Sequence, residues 1–440
     1  MQLNLLYDKW FLNKPIANCI NPEIFKYICN TDITNIEPHI LSFDIGNQFG
    51  NKHNVWLSDI GIKKDLNKVQ YGTTEKWVYP IEPWGHIMYS LNISATDEYA
   101  NFFDLIPTTI IKDVNDDKGK IIINYSHEGW VSNFLLKQMY LGAKNAGIKL
   151  NNLILILNDY NLENKIETFK REYDIEEYPT VINYSYYLTA SAKHLYNKYS
   201  NDKTTQFYLS KPYKFLCLNR RLDLHRVVLL SEILPEIQNY SLISFDKNLI
   251  TDQISNLFEN RPDIKQKFNN LPNKIIADRE DIEMTNGYHH ENKQLFLDTY
   301  ISIVTETSFY IDNDFISEKI WKPLYQFHPF IVVGRPHLLK YLKEIGFKTF
   351  DWLIDETYDT IEDNDIRMNA IITEIKRINK LSIFEIEDII KQNFNILEHN
   401  HNLMNKFGSD IDTIQNLIIE KIKKDNYTYI DIFKELNLQV

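Results

Sequence analysis

Three cysteines in 440 residues are too few and too scattered to hold this chain together. Cys19, Cys29 and Cys217 form neither a CxxC pair nor a metal-ligand spacing, so a disulfide scaffold is excluded and buried thiols are expected. No apolar run reaches the roughly 18 residues of a membrane span. The amino-terminal stretch MQLNLLYDKWFLNK lacks the apolar core of a secretion signal, so a reducing, cytoplasmic setting is expected. No GxGxxG follows a predicted strand, which removes the dinucleotide-oxidoreductase class. A cationic surplus is missing too: 48 Lys and Arg stand against 60 Asp and Glu. The net charge of −12 argues against nucleic acid as a partner, because binding a phosphate backbone requires a basic face.

What remains is an ordinary globular composition, 44% hydrophobic and 25% charged, at a length that suits two or three domains each burying its own core. Residues 1–110 are aromatic-rich and give no fold reading. From about 120 to 205 apolar strands alternate with helical periodicity: Ile121–Asn124, Val131–Ala146, Leu153–Leu157, Asn161–Glu172 and Val181–Asn183. A polar stretch near Ser200–Thr205 suits a linker, and a second alternating region runs from about 211 to 365. Residues 366–440 read as helical, with periodic apolar positions through Ile366–Ile378, Ile383–Leu397 and Ile411–Ile422. Such alternation predicts an α/β protein with parallel sheets and ligands at the carboxyl ends of the strands.

Within the second region, Ile301–Thr305 reads as a buried strand and Glu306–Asp314 as a loop over the sheet rim. Ser317, Glu318 and Lys319 suit a helix start, with Ile316, Ile320 and Leu324 on one apolar face. That spacing places the Glu318–Lys319 pair in a first turn, where free N–H groups and the dipole favour an anion such as a diphosphate. Pro323 predicts a kink or a short helix, Pro329–Val333 a second strand closed by Gly334, and Pro336 the opening of another helix. Upstream, Tyr213–Leu218 reads as a buried strand, then Asn219, Arg220 and Arg221 as a polar turn, then a helix from near Asp223 that carries Arg226. Guanidinium forks match phosphate oxygens, so three arginines at a strand's carboxyl end point to a leaving diphosphate.

The segments FISEKIWKPL and PFIVVGRPHLLKYLKEIGFKTF resemble the donor-binding half of the fucosyltransferases of glycosyltransferase family 10. Phe315, Ser317, Glu318 and Lys319 fall on that family's pattern, and the resemblance spans roughly residues 211 to 360. It implies a GT-B fold, two Rossmann-like lobes whose parallel sheets face across a cleft: residues 1–205 an acceptor-side lobe, 211–365 a nucleotide-sugar lobe, and 366–440 a helical tail that can pack back on the first. It also implies that Glu318 binds ribose hydroxyls, that Lys319 meets the diphosphate, and that Arg226, with Arg220 and Arg221 as alternates, does the same. The stretch TETSFYIDND departs from the family pattern, with Glu306 and Thr307 as the nearest match, and this leaves the sugar open.

In IIINYSHEGW, Glu128 and His127 fall in the exit loop of a strand, within reach of an interlobe cleft. The same two residues could instead cap the helix near Val131. The resemblance favours Glu128 as the base that deprotonates an acceptor hydroxyl, with His127 in reserve. Asp312–Asn313–Asp314 forms a DxD string, yet similar acidic turns recur at Asp113–Asp117 and Asp363–Asp365, so no metal and no other cofactor is expected. The expectation is thus an inverting glycosyltransferase that uses a nucleotide-sugar, GDP-linked by resemblance, on a glycan hydroxyl. An inactive carbohydrate-binding or assembly protein, or a viral enzyme that glycosylates DNA bases, is the alternative.

Overall fold

The computed structural model describes residues 3–6, 66–69, 76–81, 103, 106, 108–126, 131–200, 210–219, 221–249, 254–277, 292–423 and 428–437. The described strands are, in chain order, β1 (Leu3–Leu6), β2 (Leu66–Val69), β3 (Trp77–Ile81), β4 (Gly119–Asn124), β5 (Leu153–Leu157), β6 (Thr180–Asn183), β7 (Tyr213–Leu218), β8 (Ser241–Asp246), β9 (Lys274–Ile275), β10 (Thr299–Thr305), β11 (Phe330–Val333) and β12 (Tyr429–Asp431). The chain divides into two α/β units, one of Met1–Tyr186 with Ile411–Val440 and one of Tyr187–Asp410.

The first unit carries a parallel sheet ordered β12-β6-β5-β4-β3-β1-β2. Parallel sheets are covered on both faces, so their strands are continuous apolar runs. Accordingly LILIL of β5 is buried at every position. Ile121, Ile123, Leu153, Leu155 and Leu157 pack against Leu135, Leu136 and Met139 of the helix Asn133–Asn145, and against Ile166 and Phe169 of the helix Leu162–Glu172. The first of these helices starts where the Ser132 side chain accepts the Leu135 N–H. It stops where Gly147, at φ +72°, lets the Ile148 N–H reach the Ala143 carbonyl at 2.9 Å.

In the second unit the order is β11-β10-β7-β8-β9, parallel except for β9. The chain runs from β7 to β8 on one side, then returns to place β10 on the other side of β7. That reversal makes the β7/β10 boundary the switch point of the sheet, where a crevice opens beyond the strand ends. The helix Leu224–Ile237 is buried along nearly its whole length and packs with the helix Asn364–Asn379. Lys376 pairs with Glu236 at 2.7 Å between them.

Two expectations for the carboxyl-terminal region change. Ile383–Leu397 is not one helix: Ile383–Gln392 opens on a capping box of Ser382 and Glu385 and ends at Asn393, from which Phe394–Ser409 begins. Nor is the region wholly helical, because Tyr429–Asp431 is a strand in the first sheet, in register with Val181–Asn183. Three residues are too few to display alternation in a sequence. The chain from Ile411 onwards belongs to the first unit.

The helix that Pro336 foretells is Leu338–Glu344, entered through His337 at φ +65°. Its free N–H groups at Leu339 and Lys340 donate to the carboxylate of buried Asp359, at 3.2 and 3.3 Å. Burial nevertheless pushes this carboxyl up to about 6, against those two bonds and the nearby His337. The native state therefore binds a proton there that the unfolded chain does not bind until nearer its ordinary value of 3.8. The carboxyl contributes more stability as pH falls from about 6 towards 4, up to roughly 2–3 kcal/mol. We expect the stability gap between the wild type and Asp359→Asn to widen in favour of the wild type over that interval, as read from urea midpoints. A pH-independent gap would exclude this linkage.

Candidate functional site

The switch point is fastened by side chains from both flanking strands. Asn219, just past β7, donates its backbone N–H to Ser244 on β8 at 2.7 Å and accepts the Thr305 hydroxyl of β10 at 2.5 Å. Its amide nitrogen donates to buried Cys217 at 3.1 Å, and burial pushes that thiol up to about 12, so it stays an inert SH group.

From the first turn of the helix Leu224–Ile237, Arg226 reaches across the same point. Its guanidinium donates to the carbonyls of Arg221 at 2.7 Å, Thr305 at 3.3 Å and Glu306 at 3.2 Å, and meets Asp223 at 3.3 Å. The residue is 5% exposed, so it clamps the exits of β7 and β10 with most of its fork already used. Beside it His225 donates Nε2–H to the Glu306 carbonyl at 2.9 Å and stacks on Phe309 with ring centroids 5.7 Å apart. Burial, then Arg226, Lys319 and Arg221, hold this imidazole neutral. Arg221 is the more open arginine, with its side chain 54% exposed and paired to Asp223 at 3.1 Å.

The segment from Glu306 to Ser317 is a loop, but a tightly held one. Glu306, 1% exposed, accepts the N–H groups of Thr307 and Ser317 on Oε2, both at 3.2 Å, which ties the two ends of the loop together. Arg335, just beyond β11, meets Asp312 at 2.9 Å and Asp314 at 3.1 Å. The DxD carboxylates are thus engaged by a guanidinium. No group of three or more His, Cys, Asp or Glu placed to hold a metal occurs among the described residues. Arg367 stacks on the other side of the loop, 4.5 Å from the Phe309 ring centre, and donates to the Phe309 and Gly334 carbonyls.

Glu318 and Lys319 do not occupy the first turn of a helix. They lie in a turn ahead of a five-residue helix, Trp321–Tyr325, where the Ser317 N–H donates to Glu306 and the Lys319 N–H to the Ser317 hydroxyl. Helix-terminus attraction for an anion therefore does not apply, and the side chains must supply the charge. Pro323 falls at the third helical position, where an N–H has no helical partner in any case. The helix is cut short at Phe327, φ +58°, whose ring stacks on His401 at 4.1 Å. Lys319 Nζ donates to the Ser317 hydroxyl at 3.0 Å and the Thr307 hydroxyl at 3.4 Å, and lies 3.4 Å from Glu318. Its side chain is 30% exposed, so the ammonium can be reached from solvent.

Two carboxyls with opposite tendencies flank that ammonium. Burial pushes Glu306 up, against the pull of Lys319. Burial also acts on Glu318, but Lys319, Lys322 and local hydrogen bonds outweigh it and hold this carboxyl below its ordinary value. Arg226 feels both Glu306 and Glu318. Six residues singled out from the sequence, Arg221, Arg226, Glu306, Thr307, Glu318 and Lys319, thus gather at one strand edge. Phe315 is buried nearby, edge-on to Tyr187 at 5.5 Å. Arg220, His127 and Glu128 lie outside the described residues. His225, Arg335 and Arg367 were not legible as site residues; only the HR pair at the helix start carries a local signal. The carboxyl edge of the first sheet is polar as well, with Asn124, Ser126, Asn158, Asp159 and Asn183 buried there and Asp159 paired to Lys165 at 2.5 Å.

No protein-family model matches the sequence, and no curated protein matches it. Among solved structures the chain is similar to an alpha,alpha-trehalose-phosphate synthase (UDP-forming) from Burkholderia vietnamiensis, at 8% identity and TM-score 0.37, covering 95% of this chain and 85% of that one. It is similar also to an alpha,alpha-trehalose 6-phosphate synthase from Burkholderia multivorans, at 9% identity and TM-score 0.37, covering 95% and 84%. At these scores the likeness carries no weight for substrate or mechanism.

Proposed function

We propose that the chain is a GT-B glycosyltransferase that moves a sugar from a nucleoside diphosphate sugar to a hydroxyl of a glycan acceptor. The observation that carries this reading is the Lys319–Glu318 pair at the switch point of the second sheet, with Arg221 and clamped Arg226 close enough that all three cations bear on buried His225. Fixed cations there stabilise the negative charge that builds on a departing diphosphate, and do so without a metal. Lys319 is the pyrophosphate contact and Arg221 a second one, while Glu318, held ionised, accepts ribose hydroxyls. Arg226 adds positive potential and fixes the turn, a smaller direct role than its position in the family pattern implies. Glu306, Thr307 and Phe315 shape the donor side.

Transfer then breaks the bond between the sugar's anomeric carbon and the β-phosphate oxygen, which keeps the electron pair. The acceptor oxygen bonds to that carbon, and its proton passes to Glu128, or to His127 in its stead. Attack from the face opposite the leaving group gives inversion. GDP-linked donors are favoured by the family resemblance. No described helix is long and apolar enough to cross a membrane.

Thermal-shift titration against GDP-, UDP-, dTDP- and CMP-sugars tests the reading. One class should raise the melting temperature in proportion to ln(1 + [L]/Kd), and donor turnover should follow the same class. A flat response to every class, at concentrations near a millimolar, would remove the proposal.

A further inference from the structure

Glu306 and Lys319 are held across the same two residues. Thr307 and Ser317 donate their N–H groups to the carboxyl, and their hydroxyl oxygens accept from the ammonium. All the hydrogen bonding of the carboxyl falls on Oε2; Oε1 is buried and without a hydrogen-bond partner among the described residues. A neutral acid can still accept two N–H bonds on its carbonyl oxygen, and the proton then belongs on the oxygen without a donor. Burial opposes the charged form most and Glu318 adds to it, while the Lys319 ammonium, then the Ser317 hydroxyl and N–H, favour it. The remaining groups about the carboxyl are Arg226, which donates to the Glu306 main chain, and His225, neutral and bonded to the same carbonyl.

A bound pyrophosphate would place its negative charge on Lys319 and cancel the cation that holds this buried carboxyl ionised. We propose that occupation of the site by a nucleoside diphosphate sugar is coupled to the uptake of one proton by Glu306, on Oε1. This rests on the reading of the site as a pyrophosphate site. It makes Glu306 the group that offsets part of the negative charge the ligand brings into the pocket, and it makes donor affinity fall as pH rises, by up to about tenfold per unit.

The test is isothermal titration of GDP-fucose and UDP-glucose into the protein in buffers of different ionisation enthalpy. These diesters lack the second phosphate ionisation near about pH 6 that would blur the proton count. The wild type should take up close to one proton per ligand. Glu306→Gln, which stands in for the protonated carboxyl and keeps an acceptor for Thr307 and Ser317, should bind more tightly than the wild type as pH rises, with no uptake and no fall of affinity with pH. The infrared difference spectrum of the wild type should independently show a carboxylate band replaced by a protonated carboxyl band on binding, whether or not the variant folds. Binding without uptake overturns the proposal and leaves the site reading standing. So does uptake that survives in Glu306→Gln and disappears in His225→Phe. Failure of the wild type to bind either ligand removes the site reading itself, and the proposal with it.

Discussion

Arg367→Met should destabilise the second unit by roughly 3–5 kcal/mol, the summed cost of leaving several buried carbonyls without a donor. Arg367 is 1% exposed, so its stem fills core volume and its fork is surrounded by acceptors. It donates to Gly334 at 3.2 Å, Ile361 at 2.7 Å, Glu362 at 3.0 Å and Phe309 at 3.2 Å, and to the Asn364 side chain at 2.5 Å. The four carbonyls come from three separate segments, the loop after β10, the exit of β11 and the turn before the helix Asn364–Asn379. A methionine restores some volume and none of the donors, which strands several buried carbonyls at once. Lysine would not rescue it, since an ammonium cannot span acceptors arranged for a planar fork or stack on Phe309 in the same way. Urea denaturation monitored by tryptophan fluorescence reads the loss; a change below about 1 kcal/mol would mean that these contacts are not the keystone of the loop.

The second large effect is on chemistry. Lys319→Ala should lower kcat/KM for the donor by about 10²–10³-fold, the usual cost of losing one preorganised group at developing charge. Some stability should go with it, because Lys319 pairs with Glu318 at 3.4 Å and its charge supports the buried Glu306 carboxyl, so the variant's urea midpoint is read beside its turnover. Lys319→Arg should recover part of the activity by keeping the charge. Glu128→Gln makes the contrast: donor affinity retained, transfer lost, since a base acts on the acceptor proton and not on the diphosphate. Equal turnover in the wild type, Lys319→Ala and Glu128→Gln would refute both roles.

The parallel architecture was legible because buried strands announce themselves as apolar runs. YKFLCL and LILIL are strands over the same residues that the pattern predicts, and the helix after β7 begins at Leu224, one residue past the Asp223 that its neighbours suggest. The gathering at the β7/β10 edge was legible too, since a polar turn between a buried strand and a helix has one place to go. What escaped was set by distant partners. Arg226 looks from its neighbours like an available cation, and only the carbonyls of Thr305 and Glu306, some 80 residues away in sequence, use up its fork. Arg367 and Arg335 act on a loop far upstream of Arg367 and beside a different strand. The helix predicted from Ser317 starts at Trp321, and Glu306, eleven residues earlier, holds the Ser317 N–H in the turn before it. Local periodicity holds no trace of such long-range competition for a backbone donor.

The pairing of β12 with β6 has a consequence for how the polypeptide is made. Tyr429–Asp431 must lie beside Val181–Asn183, and the Asp431 carboxylate receives the Asn183 amide at 2.8 Å, so one edge of the first sheet waits for residues 248 positions further along the chain. The second unit, Tyr187–Asp410, has all its described strands once Asp410 has left the ribosome. On the ribosome the middle of the chain is thus ready before its beginning. Until then β6 is an open edge whose neighbour is still being translated, a stage at which chaperone capture or pairing with another nascent chain would do the most harm.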